Sequence, residues 1–129
     1  MEPGREKILL VDDDDLVRNL VQRQLTGLGY VVTAAGSASE ALELVQSGQY
    51  DLLLTDMIMP GGMNGRDLAL HVRALAPNLP ILLSSGYMDN AMGDDDPLQG
   101  HLHLLAKPYR KAELAAKVRA LLDGSKQKP

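Results

Sequence analysis

Acidic side chains stand at the ends of two apolar stretches of this sequence. Asp12 and Asp13 follow the apolar run 8–11, and Asp56 comes two residues after the leucines at 52–54. Short runs of this kind are typical of strands buried on both faces of a parallel sheet. Because the carboxyl ends of parallel strands meet at one edge of the sheet, where ligands bind, we expect these three carboxylates to lie close together.

Two further apolar stretches end in a hydroxyl group and a cation. The run 80–83 is followed by Ser84, and the run 102–106 is followed by Lys107. A phosphoryl group presents oxygens that are stabilised by a positive charge and by a hydrogen-bond donor. The four strand ends together therefore offer residue types suited to phosphoryl chemistry.

The grouped acids predict a metal ion. Three neighbouring carboxylates repel one another, so at least one should resist ionising unless a cation is present. Carboxylates, a backbone carbonyl and water form the all-oxygen ligand set that Mg²⁺ prefers. Asp56 stands singly at its strand end, and we therefore predict that it is the nucleophile that attacks phosphorus to give an acyl phosphate.

The elements that position these residues alternate along the chain. Strands are predicted at 7–12, 30–34, 51–55, 80–84 and 101–106, with helices after the first three and a closing helix at 110–122. The alternation favours an α/β fold: one doubly wound, five-stranded parallel sheet with helices on both faces. Between the last two strands Gly93 and Pro97 interrupt the chain, so the fourth helix should be shortened or irregular.

Length and composition exclude several classes of function. With 129 residues, no cysteine and a net charge of -4, the chain predicts one domain at 1–124 with a polar tail at 125–129, and no thiolate chemistry. No basic face suits nucleic acid, and no apolar run approaches the ~20 residues that span a membrane. We expect a cytoplasmic protein, as a monomer or weak homodimer, without nucleic-acid or membrane partners.

Four sequence blocks resemble those of a known family. They are Val11-Asp12-Asp13, Thr55-Asp56-Met57-Ile58-Met59-Pro60, Leu83-Ser84-Ser85-Gly86-Tyr87 and Ala106-Lys107-Pro108-Tyr109. These blocks are similar to the signatures of the receiver domain of two-component response regulators. The string 60–68 is most similar to receivers of hybrid histidine kinases. The resemblance implies a flavodoxin-like fold, as in the chemotaxis regulators, with strand order 2-1-3-4-5.

The resemblance also implies a role for each site residue. Asp56 would accept a phosphoryl group from a phosphohistidine on a histidine kinase or histidine phosphotransfer domain. Ser84 would hydrogen-bond the phosphoryl oxygens, and Lys107 would pair with them. Asp13 would bind Mg²⁺ directly and Asp12 through water. The whole metal-binding set would be Asp12, Asp13, Asp56 and the backbone carbonyl of Ile58.

Alternatives remain at this stage. The family often carries an aromatic switch residue where this chain has Leu104, so the resemblance does not say how this chain would switch. The resemblance also names no downstream target. A receiver-like module could also signal by binding alone, without phosphorylation. A metal-dependent phosphatase could use Asp56 as its nucleophile, but such enzymes usually place a second acid two residues on, where Ile58 stands. We therefore expect a signalling domain that catalyses only its own phosphorylation and dephosphorylation.

Overall fold

A computed structural model describes residues 6–56, 64–85, 102–106 and 111–126, and of these it describes 85, 102–106 and 124–126 by their backbone alone. The strands are β1 (Lys7–Val11), β2 (Val31–Ala35), β3 (Leu52–Asp56), β4 (Ile81–Ser85) and β5 (Leu102–Ala106). The helices are α1 (Asp15–Gly27), α2 (Ala38–Ser47), α3 (Gly65–Leu75) and α4 (Lys111–Lys126). All neighbouring strands pair in parallel, in the order β2-β1-β3-β4-β5. The predicted α/β class with a parallel sheet is confirmed.

The sheet is covered by helices on both faces. Successive side chains of a strand point to opposite faces. Leu9 of β1 therefore packs in one apolar cluster with residues of α2 and α3, whereas its neighbour Leu10 packs in a second cluster with residues of α1 and α4. Both are almost fully buried. Burial on both faces explains why residues 8–11 of β1 are all apolar rather than alternating with polar ones.

Short polar side chains determine where the helices begin. The sequence permits Asp14 or Asp15 as the cap of the first helix and Ser37 or Ser39 as the cap of the second. Asp14 caps α1 and Ser37 caps α2, each accepting hydrogen bonds from backbone N–H groups of the first turn. After α1 the chain turns at Gly29, whose φ of 100° lies in the left-handed region that glycine adopts without strain.

The polar segment 1–6 of the sequence predicts a short frayed arm, and this prediction is wrong at Glu6. Its side chain is fully buried, and its Oε2 lies 2.5 Å from Nη2 of Arg119 on α4. Arg119 also donates from Nη1 to the hydroxyl of Tyr30 at 3.3 Å. The hydrogen bond to Glu6 raises the pKa of Arg119, and burial raises the pKa of Tyr30. The carboxylate therefore ties α4 to the start of β1.

The closing helix is longer than the sequence pattern indicates. It was expected to end at Leu122, but α4 continues to Lys126. The boundary between a domain at 1–124 and a tail at 125–129 stays a prediction. The segment predicted to hold a shortened fourth helix, 86–100, lies outside the described residues. Among the helices that are described, none is both long enough and apolar enough to cross a membrane.

Candidate functional site

Three carboxylates meet where β1 and β3 end. Val11 of β1 is the register partner of Thr55 in β3, so the acids that follow each of them emerge side by side. One carboxylate oxygen from each of Asp12, Asp13 and Asp56 lies within 4.8 Å of the others. Asp12 is buried, Asp56 is partly buried and Asp13 is exposed to solvent. The structure thus brings together the three acids that the strand pattern singled out.

The backbone of Asp12 is held from two sides. Its N–H donates to the carbonyl of Ala35 at the end of β2, at 3.2 Å. Its own carbonyl accepts a hydrogen bond of 2.8 Å from Nη1 of Arg18. Its side-chain Oδ1 accepts the N–H of Asp14 at 2.9 Å, which fixes the carboxylate relative to the start of α1. The first acid of the site is therefore firmly oriented by the fold.

Ser84 lies at the same edge of the sheet as the acids. It is the register partner of Asp56 in the β3–β4 ladder and is 4% exposed. The pairing of Ser85 with Ala106 brings the end of β5 to this edge as well. Lys107 is the residue after Ala106, but both Lys107 and Ile58 lie outside the described residues. Their roles stay predictions.

The acid cluster fits a hard divalent cation. It offers three carboxylate oxygens, which are the ligands that Mg²⁺ prefers. The exposure of Asp13 leaves the outer side of the cluster open to water, and Mg²⁺ usually keeps several of its water ligands. A cation would also reduce the mutual repulsion of the three carboxylates. The donor set is therefore consistent with the predicted magnesium site.

Arg18 is the residue near the site that sequence reasoning missed. Its Nη2 forms an ion pair of 2.5 Å with Oδ1 of Asp15, while its Nη1 reaches back to the carbonyl of Asp12. A usable signal was its spacing, because Arg18 lies three and four residues after two acids of a predicted first helical turn.

An apolar strip on α1 adjoins the acids. Leu16 is 82% exposed and Leu20 is 57% exposed, whereas Val21 and Leu25 of the same helix are buried against the sheet. Apolar residues recur at helical spacing over 16–28 of the sequence, and the helix that this spacing predicts is confirmed by α1. The spacing does not reveal that the segment contains more apolar positions than the core accepts. The surplus leaves two leucines on the surface one to two turns from Asp13.

Most of the chain is similar to known signalling proteins. Residues 8–119 match the response regulator receiver domain. The sensor kinase CckA of Brucella abortus (strain 2308) is 34% identical over 93% of this chain, which spans 13% of that protein. The receiver protein CpdR of the same organism is 31% identical, over 91% of this chain and 97% of its own length. The similarity to a kinase agrees with the resemblance to hybrid-kinase receivers.

Solved structures agree with the sequence comparison. The response regulator TrrA from Thermotoga maritima, determined in complex with Mg²⁺ and BeF, is 30% identical and superposes with a TM-score of 0.80, covering 90% of this chain and 98% of that one. A response regulator from Chloroflexus aurantiacus, at 34% identity, has a TM-score of 0.82 and covers 92% of this chain and 98% of its own. Both matches extend over nearly the complete fold.

Proposed function

Because the chain belongs to the response regulator receiver domain family, we propose that Asp56 accepts a phosphoryl group from a phosphohistidine in the presence of Mg²⁺. The phosphorylated domain then changes its protein contacts. The observation that carries this proposal is the cluster of Asp12, Asp13 and Asp56, whose carboxylate oxygens lie within 4.8 Å of one another at the ends of β1 and β3.

The proposed transfer is a substitution at phosphorus. A carboxylate oxygen of Asp56 attacks the phosphorus, and the bond between phosphorus and the donor imidazole nitrogen breaks, so that nitrogen keeps the electron pair. Asp12, Asp13, Asp56 and the backbone carbonyl of Ile58 would hold Mg²⁺. The bound ion supplies charge stabilisation for the phosphoryl oxygens. The product is an acyl phosphate on Asp56.

The neighbouring residues suit the phosphorylated state. Ser84 pairs with Asp56 across the β3–β4 ladder, so its hydroxyl is at the right edge to donate to a phosphoryl oxygen. Lys107 directly follows the last residue of β5 and would add a positive charge. A new charge of about -1.5 to -2 beside three acids needs such compensation. We propose that the need to neutralise this new charge couples phosphorylation to a local rearrangement.

The surface next to the site supports a protein as the phosphodonor. Leu16 and Leu20 expose apolar area on α1, the helix that follows Asp12 and Asp13 along the chain. Exposed apolar patches rimmed by polar residues mark protein interaction sites. We propose a histidine kinase or a histidine phosphotransfer domain as the donor. A cytoplasmic location and a monomeric or weakly dimeric state remain predictions, and the downstream target is a further protein.

Intact-mass spectrometry tests the proposal. The protein is incubated with acetyl phosphate and Mg²⁺, beside the Asp56→Asn variant and an EDTA control. We expect the mass of one phosphoryl group on the wild type, and none on the variant or in EDTA. Equal labelling of wild type and variant would exclude Asp56 as the acceptor. Continuous release of phosphate without a labelled species would favour the phosphatase alternative. A wild type that accepts no phosphoryl group from acetyl phosphate or from a phosphohistidine protein would favour the binding module.

A further inference from the structure

The side chain of Arg18 contacts the backbone of the acid cluster. Arg18 lies one turn into α1, and its side chain is 20% exposed. Nη1 donates to the carbonyl of Asp12 at 2.8 Å, and Nη2 pairs with Asp15 at 2.5 Å. The guanidinium also lies beside Gly36, where an added Cβ would be 3.4 Å from Nη1. Arg18 thus sits between β1, β2 and α1.

These contacts close a ring of hydrogen bonds around the turn that carries the acids. Oδ1 of Asp12 accepts the N–H of Asp14 at 2.9 Å. The carbonyl of Asp14 accepts the N–H of Arg18 at 2.9 Å, and the guanidinium of Arg18 returns to the carbonyl of Asp12. The peptide between Asp12 and Asp13 is part of this ring. The orientation of the Asp13 side chain therefore depends on Arg18.

A guanidinium suits this task better than an ammonium group. Its planar fork donates through two terminal nitrogens at once, here to a carbonyl and to a carboxylate. A lysine offers one nitrogen on a flexible stem and cannot reproduce both bonds in the same geometry. The positive charge of Arg18 by itself should weaken Mg²⁺ binding, because a fixed cation beside the acids repels the ion.

We infer that Arg18 is a positioning residue that holds the turn carrying Asp12 and Asp13 in the geometry that binds Mg²⁺. This inference rests on the proposed function, since it assumes a metal at the acid cluster. Partners that orient metal ligands are commonly worth about 10-fold or more in metal affinity when they are replaced. The expected loss for Arg18 is therefore about 10-fold in the dissociation constant for Mg²⁺.

Magnesium titrations of matched variants separate positioning from charge. Affinity is measured by calorimetry for the wild type, Arg18→Lys, Arg18→Gln and the control Arg23→Gln, which removes the same charge from an exposed position of the same helix. Positioning predicts weaker binding in both Arg18 variants, with Arg18→Gln about 10-fold weaker, and no change in the control. Unchanged or tighter binding in Arg18→Gln, or wild-type affinity in Arg18→Lys, would overturn the inference.

A measurement without metal provides an independent check. The N–H of Asp14 is donated to Oδ1 of Asp12, so loosening of the ring should speed its hydrogen exchange. Two-dimensional NMR in EDTA should show faster exchange at Asp14 in Arg18→Gln than in Arg23→Gln, with the remaining spectrum showing a folded protein. Equal exchange would count against the ring. A wild type that binds no Mg²⁺ would instead refute the proposed function itself.

Discussion

Replacing Asp13 by asparagine should stabilise the metal-free protein and remove most of its response to Mg²⁺. The three carboxylates of the cluster lie within 4.8 Å of one another. Two unit charges at that separation repel by about 0.9 kcal/mol in water and by about 3.5 kcal/mol at an effective dielectric constant of 20. Asp13 is exposed, so the lower figure applies to each of its two neighbours. The expected gain for Asp13→Asn is about 1–2 kcal/mol at low salt.

The response to metal should change in the opposite direction. Binding to the folded state alone stabilises a protein by about 2.7 kcal/mol when the ligand is at 100 times its dissociation constant. We expect Mg²⁺ to raise the wild-type free energy of unfolding by an amount of this order. Asp13→Asn should retain little of this increase, because it loses a charged ligand of the ion. Its advantage in EDTA should also shrink as salt is added, since salt screens the repulsion.

Urea unfolding in EDTA and in Mg²⁺ measures both effects. Glu43→Gln is the matched control, because it removes one negative charge from an exposed position of α2. The control should leave stability in EDTA and the increase with Mg²⁺ almost unchanged. The reasoning is refuted if Asp13→Asn is no more stable than the wild type in EDTA and gains the same stability from Mg²⁺.

Three further changes have defined outcomes. Arg119→Met removes the ion pair between Arg119 and the buried Glu6 and should lower the free energy of unfolding in urea by about 3 kcal/mol, whereas adding Glu6→Leu should restore part of that loss. Leu16→Ala should slow phosphotransfer from a phosphorylated histidine phosphotransfer protein by about 5–30-fold, as burial of a leucine contributes about 1–2 kcal/mol, without affecting labelling by acetyl phosphate. Burial raises the pKa of Tyr30 above its ordinary value of 10.0. Its contribution to the free energy of unfolding is therefore complete below pH 10 and is lost as the pH rises further. In urea titrations, Tyr30→Phe should lose less stability at alkaline pH than the wild type.

Each of these expectations has a contradicting result. A double variant at Glu6 and Arg119 that is less stable than Arg119→Met alone would mean that the carboxylate has stabilising contacts independent of the arginine. Slower labelling of Leu16→Ala by acetyl phosphate would place the defect in the chemistry rather than in docking. An alkaline slope in Tyr30→Phe equal to that of the wild type would assign the loss to other groups.

The strand ends were predictable because burial leaves a simple pattern. A strand covered on both faces is largely apolar, so the first charged residue marks the end of the strand, as at Asp12 and Asp56. Parallel pairing then brings those ends to one edge without further information. The register adds what the sequence lacked, namely that Ser84 stands directly opposite Asp56.

The features that sequence reasoning missed depend on contacts between distant parts of the chain. Glu6 pairs with Arg119, 113 residues away, and a charged residue near a chain end ordinarily indicates a solvated arm. Leu16 has the spacing of a core residue, but the sheet accepts only part of the apolar surface of α1. Arg18 resembles any surface arginine of a helix until the return of its side chain to Asp12 is seen. The helical spacing of Arg18 indicates at most a pairing with an acid of the first turn, and not the contact with the carbonyl of Asp12.

Chemical mapping of the phosphorylated residue tests the central claim most directly. After reaction with acetyl phosphate and Mg²⁺, borohydride reduces an aspartyl phosphate to homoserine, and tandem mass spectrometry locates the converted residue. We expect homoserine at position 56 alone, with no conversion in the Asp56→Asn variant or in EDTA. Homoserine at position 12 or 13, or a labelled protein without any conversion at position 56, would contradict the assignment of Asp56 as the phosphoacceptor.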